Sequence, residues 1–469
     1  MNDIGWISIL PPLIAVILAI RTKEVYFSLI SGLFFGYLIL AEWHPLNGFF
    51  QMMNGVITVF HDDGNVRVVL FTLLIGVLIR FTKDYGGANA FANRIFKSVN
   101  ANQDATVEKK AQFYTMGLGL LLFIETNISI LTTGTIFKPI YDKVKLPRTK
   151  LAYILDSTSS PSSILLPFNA WGAFIVGLLM QNGFEYPVDL FFQSVWINFY
   201  PFMAIALVIM TILLGKSKQV EKVFRTTAYR DVKTVSQTIE TEGDTLWDMI
   251  LPFGVMVVSM PCYMIYSGWG EDTHDMLSAF KNGSGSFSVL FSVLNGIIVM
   301  LVLLMATKRW NTSKINTLAM NGMKDMMEMA LLMILAFALG SMAKSLGTGN
   351  YVASLVLSNI HLGLIPALFF VISGFIAFST GTSWGTFAIM IPLMAGISTT
   401  GEVNEALLLA AILGGGVFGD HCSPVSDTTL ISSIASDCDH MEHVNTQLPF
   451  ALFAGGISLV LFLIVGFII

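Results

Sequence analysis

The chain has 469 residues, 54% hydrophobic and only 12% charged, with a formal net charge of −5 and three cysteines. A soluble chain of this length needs several charged domain surfaces, because soluble domains average roughly 25% charged residues. The composition therefore excludes a soluble enzyme, a nucleic-acid binder and a disulfide scaffold, and with apolar blocks near twenty residues it indicates an all-α polytopic membrane protein.

In chain order the first half offers apolar blocks at 4–20, 25–40, 66–81, 113–141, 151–181 and 190–214. The start, Met1-Asn2-Asp3-Ile4, lacks a basic region, so the first block is expected to be a span rather than a cleaved signal. The second half repeats the layout at 246–269, 287–307, 326–346, 362–395, 406–436 and 445–469. Between the halves, eleven of the thirty residues at 216–245 are charged, which reads as a solvated cytoplasmic linker. The expected units are thus a first repeat at 1–215, the linker, and a second repeat at 246–469.

Lys and Arg set orientation. They cluster at 21–23, 80–110, 138–150, 216–233 and 308–324, while 41–62, 182–189 and 270–285 are neutral or acidic. Basic segments in the cytoplasm put both ends of 113–141 on one side. That block must then enter the membrane and return as a re-entrant or tight hairpin. Each half makes about five crossings plus one hairpin, so the second half enters inverted and both termini lie outside a cell membrane. Short echoes fall in the same order, such as Met53-Asn54-Gly55 with Met320-Asn321-Gly322 and Ser160-Pro161 with Ser423-Pro424. Two inverted-topology repeats are a signature of secondary transporters.

Four apolar blocks carry polar clusters, one pair per half. The first pair is 123–135, with Glu125, Asn127 and Ser129, and 378–386, with Thr380, Thr382, Ser383 and Trp384. Gly and short hydroxyl side chains let the backbone leave helical geometry and satisfy the groups released. The second pair is 156–163, with Asp156, Ser157, Thr158 and Ser159, and 420–429, with Asp420, His421, Ser423, Asp427 and Thr428. Pro161 and Pro424 are expected to break their helices there. A centred Asp costs about 2.5–3.5 kcal/mol on insertion scales, so these carboxylates must face one another or a wet cavity. His421 either bonds a nearby carbonyl or titrates and tunes Asp420. Asn169, Trp171 and Trp384 are candidates to line a substrate cavity. The string Cys438-Asp439-His440-Met441-Glu442-His443 holds metal-capable side chains but no second Cys at ligand spacing, and reads as a solvated turn rather than a zinc site.

The strings Gly-Asp-His-Cys-Ser-Pro-Val-Ser-Asp-Thr-Thr (419–429) and Thr-Gly-Thr-Ser-Trp-Gly-Thr-Phe (380–387) resemble the NhaC-type sodium/proton antiporters. So do residues 438–449 and Leu-Ala-Tyr-Ile-Leu-Asp-Ser-Thr (151–158). The resemblance covers nearly the whole chain. It implies hairpins and broken helices in a transport domain beside a scaffold domain, an elevator-type homodimer, and Na⁺ and H⁺ as coupling ions with no cofactor. Some relatives carry organic acids or amino acids instead.

Three functions compete at this point. A Na⁺/H⁺ antiporter would bind its cation at Asp420, Asp427, Thr382, Ser383, Ser423 and Thr428. Coupled transport of a small organic anion or amino acid would use the hydroxyl-rich tips and the first-half set around Glu125, Asn127, Ser129, Asp156 and Asn169. An intramembrane enzyme would have to be built on Asp420, His421 and Ser423. The chain has no P-loop, which removes support for ATP-driven pumping.

Overall fold

The computed structural model describes residues 5–22, 24–87, 107–123, 126–166, 169–214, 246–270, 275–348, 351, 361–398 and 403–469. The linker at 216–245, Glu125 and the side chain of Asn127 lie outside the described residues. Among the described residues every regular element is a helix. In a bilayer core only helices and closed barrels satisfy all backbone donors and acceptors.

The first half comprises α1 (Leu10–Thr22), α2 (Val25–Leu40), α3 (Pro45–Thr58), α4 (Asp63–Asp84), α5 (Val107–Leu121), α6 (Thr126–Lys143), α7 (Arg148–Ser163), α8 (Ala170–Gln181), α9 (Pro187–Trp196) and α10 (Phe199–Leu213). The second comprises α11 (Trp247–Gly268), α12 (Met276–Lys281), α13 (Gly285–Ala306), α14 (Thr312–Asp325), α15 (Met327–Leu346), α16 (Ile365–Thr380), α17 (Ser383–Ser398), α18 (Glu405–Cys422), α19 (Asp427–Ser436) and α20 (His440–Ile468). Among the described residues, eight helices are long and apolar enough to cross a membrane, with α9 and α10 together counted as one, Pro187–Leu213. The count is nine if Val25–Leu40 and Pro45–His61, bent by 118°, form one span. The block expected at 190–214 is two helices, α9 and α10, separated at Ile197 and Asn198.

The halves interlock reciprocally. Helix α2 packs on α15 as α13 packs on α4, and α3 lies on α15 as α14 lies on α4. The hairpin α5–α6 packs on α7 as α16–α17 packs on α18. Helix α10 closes on α7 as α20 closes on α18. Such exchange of equivalent contacts is what two repeats of opposite orientation produce. Helices α1–α4 and α11–α15 form one group of neighbours, and α5–α10 with α16–α20 form another. The groups meet where α8 packs against α4, α13 and α15, where α15 packs on α17, and where α1 packs on α16 and α17.

Two features were not expected from the sequence. The Met-Asn-Gly echoes lie on α3 and α14, short helices preceding α4 and α15, where loops were expected. Their glycines permit close approach: a Cβ at Gly76 would stand 2.2 Å from the carbonyl oxygen of Gly322, so α4 and α14 touch through backbone. The second feature concerns the first-half break. Helix α7 continues through Pro161 and ends at Ser163, so Ser157–Ser160 lie inside a helix and not at a helix N-terminus. The missing amide of Pro161 leaves the Ser157 carbonyl without its helical donor, while hydroxyls nearby bond back to other carbonyls of the ladder. Ser159 Oγ donates to the Leu155 carbonyl at 2.8 Å and Ser162 Oγ to that of Thr158 at 2.7 Å.

Both expected hairpins form, and each is seated on a broken helix by the same contact. At the first tip the Phe123 carbonyl accepts from Ser163 Oγ and Asn169 Nδ2, both at 3.1 Å. At the second tip the Phe378 carbonyl accepts from Ser423 Oγ at 2.7 Å. The second tip turns at Gly381, with φ at +69°, and a Cβ there would lie 2.4 Å from the Val425 carbonyl oxygen. Gly381→Ala therefore meets both a left-handed backbone and a wall, and should cost on the order of 1–3 kcal/mol. Thermal unfolding of the full-length protein in detergent checks this, with Gly117→Ala as the control because nothing lies within 4 Å of a Cβ there. Equal stability of both variants and the parent would contradict the seating of this hairpin.

The basic distribution also fixes a topological expectation. Residue 145 follows the first hairpin, between α6 and α7. With exposed Cys262 replaced by Ser, a Lys145→Cys variant should resist an impermeant thiol reagent in intact cells and react after permeabilisation. Ready labelling in intact cells would contradict the hairpin reading.

Candidate functional site

The polar motifs of the two halves converge between α7, α10, α17, α18, α19 and α20. Asp156, at 0% exposure, projects from the middle of α7. Its Oδ2 accepts from Thr429 Oγ1 at 2.9 Å and from Gln447 Nε2 at 2.6 Å. Its Oδ1 is buried with no hydrogen-bond partner. Asp420, at 3% exposure, stands in the last turn of α18. Its Oδ2 accepts from Ser383 Oγ at 2.7 Å, and its Oδ1 is likewise buried and unpartnered. Each carboxylate thus comes from a different half and keeps one unused oxygen. Almost all buried polar atoms in proteins are paired, so two such oxygens in one region call for a ligand.

The second-half break falls where the sequence places it. Helix α18 ends at Cys422 and α19 begins at Asp427, so Asp420 and Asp427 stand on opposite sides of it. Asp427 is exposed and its Oδ1 accepts from the Thr428 amide at 2.8 Å. Ser426 caps α19 and pairs with Thr428 Oγ1 at 3.1 Å. Ser383 also reaches the Gly416 carbonyl at 3.2 Å. Thr382 is partly exposed at the hairpin tip.

His421 is held by two hydroxyls. Its Nε2 lies 3.0 Å from Ser157 Oγ and its Nδ1 lies 2.7 Å from Tyr200 OH. Thr158, Ser159 and Thr380 instead bond back to their own helices. Ser129 Oγ donates to the Gly119 carbonyl at 3.0 Å and ties the hairpin arms together. Asn169 caps α8 through the Gly172 amide and donates to the Ser163 and Phe123 carbonyls, so its amide is committed within the first-half break. Trp171 and Trp384 pack with centroids 4.9 Å apart and planes tilted by 46°, and Phe174 lies 5.0 Å from Trp384. This aromatic contact joins α8 to the second hairpin.

The string at 438–443 is not a solvated turn. Asp439 caps α20, which starts at His440 and buries His443 completely. In the turn before it, burial pushes the Cys438 thiol up to about 11. Gln447 and Tyr200 were missed in the sequence. Gln447 Nε2 donates to Asp156 Oδ2 and, at 2.6 Å, to the His421 carbonyl. Its Oε1 lies 2.9 Å from His443 Nε2. The available signal was the four-residue spacing of His443 and Gln447, which puts both on one face at the polar start of a long, mostly apolar helix.

Comparison with known proteins agrees with this arrangement. The model of the Na⁺/H⁺ antiporter family matches residues 173–467. An uncharacterized protein of Haemophilus influenzae is 33% identical over 98% of this chain and 91% of its own length. The malate-2H⁺/Na⁺-lactate antiporter of Bacillus subtilis is 31% identical over 150 residues, 31% of each chain. The YdaH transporter of Alcanivorax borkumensis shares the fold at 13% identity, with a TM-score of 0.60 over 90% of this chain and 89% of that one. The protein is a multi-pass membrane transporter of the secondary class and not an enzyme, and the chain belongs to the Na⁺/H⁺ antiporter family.

Proposed function

We propose that this transporter exchanges Na⁺ for H⁺ at one shared site between Asp156 and Asp420. The observation that supports it is the pair of buried, unpartnered Oδ1 atoms, one on each carboxylate and one from each half. Na⁺ is a hard cation and takes oxygen ligands. Besides the carboxylates, Ser383 Oγ and the Ser157 carbonyl are available, the latter because Pro161 offers it no helical amide. Asp427, Thr382, Thr428 and Ser423 rim the same break. Protons compete for the same carboxylates, so a site that holds either ion but not both gives exchange without further machinery. Alternating access would carry α5–α10 and α16–α20 past α1–α4 and α11–α15 in an elevator-like homodimer. The protein would sit in a bacterial-type inner membrane, and the lysine and arginine distribution supports both termini outside and the linker at 216–245 in the cytoplasm.

A second reading has a specific basis. The Bacillus subtilis relative is named for malate and lactate exchange with H⁺ and Na⁺. The tilted Trp171–Trp384 pair stands beside the Ser383 tip, where an aromatic wall could border a small organic solute. Under this reading Na⁺ and H⁺ remain the coupling ions and the carboxylate pair keeps its role.

Proteoliposomes with an internal pH-sensitive dye separate the readings. Na⁺, Li⁺, K⁺, malate, lactate and amino acids are added singly. Cation exchange predicts proton movement on Na⁺ alone. Movement only when an organic solute accompanies Na⁺ would overturn the first reading for the second. Asp420→Asn and Asp156→Asn keep shape but remove charge. Each should lower Na⁺-driven proton flux about tenfold or more, the size of losing one charged ligand. Parental flux in either variant would reject that carboxylate as a ligand.

A further inference from the structure

We propose that His440 and His443, joined by the hydroxyl of Ser433, form a site that holds one shared proton beside the ion site and communicates its charge to Asp156 through Gln447. This rests on the reading of the protein as a proton-coupled exchanger. It adds a proton-binding group outside the carboxylate pair.

The case is a proton inventory. Gln447 has a forced orientation. Two acceptors, the Asp156 carboxylate and the His421 carbonyl, both stand at 2.6 Å from one end of its amide. That end must be the NH₂, so the other end is the oxygen. His443 Nε2, 2.9 Å from that oxygen, must therefore carry a hydrogen. His440 is fixed in the same way. Its Nε2 lies 2.7 Å from the Pro424 carbonyl oxygen, which can only accept, so this nitrogen also carries its hydrogen. A neutral imidazole with a protonated Nε2 presents a bare Nδ1. Both Nδ1 atoms point at Ser433 Oγ, at 3.1 Å from His440 and 2.9 Å from His443, and His443 Nδ1 also lies 3.3 Å from the Thr429 carbonyl oxygen, an acceptor that favours a proton on this nitrogen.

Ser433 has one proton to give. It has three claimants: the two Nδ1 atoms and the Thr429 carbonyl at 2.8 Å. With both rings neutral, at least one Nδ1 lone pair faces an oxygen lone pair. A single added proton resolves this. One ring becomes an imidazolium and donates Nδ1–H to Ser433 Oγ, while Ser433 donates its own proton to the other ring. Moving the charge between rings then needs only two short hops. Nδ1–H of His440 passes to Oγ as the Oγ proton passes to His443, with no net change in bonds. A second added proton would leave both rings donating to one hydroxyl, two like charges about one side chain apart, so the cluster is built for one.

The placement suits exchange with solvent on one side and the ion site on the other. His440 is partly exposed, whereas His443 and Ser433 are buried. Around α20 the neighbouring elements bring Arg148, Lys150, Tyr153 and Asp156 on α7, Tyr200 on α10, and Asp427 on α19, with Asp437, paired to Arg148, in the turn before α20, Asp439 at its cap and Glu442 in its first turn. Helix α18 brings Asp420, His421 and Cys422, and α16 carries no titratable group. Of these, Asp156 is the carboxylate tied to His443 through a single side chain, Gln447. A proton on His443 strengthens the Nε2–H bond to Gln447 and favours a charged Asp156. Its departure weakens that hold.

The test is ¹⁵N-histidine NMR of the full-length protein in lipid nanodiscs, titrated through the neutral range. His440→Gln and His443→Gln assign the signals. The inference expects both Nε2 atoms protonated throughout, and one proton taken up per pair. Removing either ring should shift the titration of the other by about one pH unit. Ser433→Ala should uncouple the rings. Two independent one-proton titrations indifferent to the partner would overturn it, as would two rings neutral at every pH or a bare Nε2 on His443. In proteoliposomes, His440→Gln should displace the pH profile of Na⁺-driven flux while flux at its new optimum persists. Superimposable profiles would count against the site and leave Na⁺/H⁺ exchange standing. Shared titration without any Na⁺-driven flux would uphold the site and reject the exchange reading.

Discussion

Two carboxylates buried in an apolar interior set the terms for everything around them. A carboxylate removed from water must be hydrogen-bonded, paired or protonated, because its desolvation is costly. Asp156 and Asp420 are each half provided for: one oxygen takes hydroxyl or amide donors and the other takes none. The donors that are present come from three helices, α17, α19 and α20, all of the second half. The transported ion is the natural counterpart of what is missing. A fully satisfied carboxylate would be a structural anchor; a wholly unsatisfied one would be a defect. The intermediate state is what lets the site accept a cation or a proton and then release it.

The architecture follows from that need. Irregular backbone at membrane depth is tolerated only where protein or a water-lined cavity satisfies it. Both breaks meet the condition by being covered with a hairpin tip, through Phe123 with Ser163 and through Phe378 with Ser423. Gly381 allows the second tip to lie flat on the Val425 carbonyl. The Trp171–Trp384 pair then fixes the second hairpin against α8, where the two helix groups meet. Seating the tips therefore couples the geometry of the ion site to the boundary between groups.

Much of this was legible in the sequence. Charge on both flanks of 113–141 required a hairpin, and the density of Gly and hydroxyls at 378–386 marked its counterpart. Pro424 between Asp420 and Asp427 marked the second break. The first break was misplaced because Pro161 does not end its helix. Its missing amide frees one carbonyl, that of Ser157, without ending the helix, and the chain breaks only past Ser163. Helices α3 and α14 were overlooked because they are too short and too polar to register as spans. The largest omission was the start of α20. Side chains at 438–443 look solvated one by one, and only the helix buries His443 and aligns it with Gln447. Tyr200 could not be linked to His421 from sequence, since 221 residues separate them.

The claim on which the account depends is that Na⁺ and H⁺ compete for the same carboxylates. Calorimetry of Na⁺ binding to the full-length protein in detergent, repeated in buffers of different ionisation enthalpy, counts the protons released per ion bound. The account predicts release of about one proton or more in the acidic part of the working range, with Na⁺ affinity falling as pH falls. Na⁺ binding that releases no proton, at an affinity unchanged by pH, would contradict it.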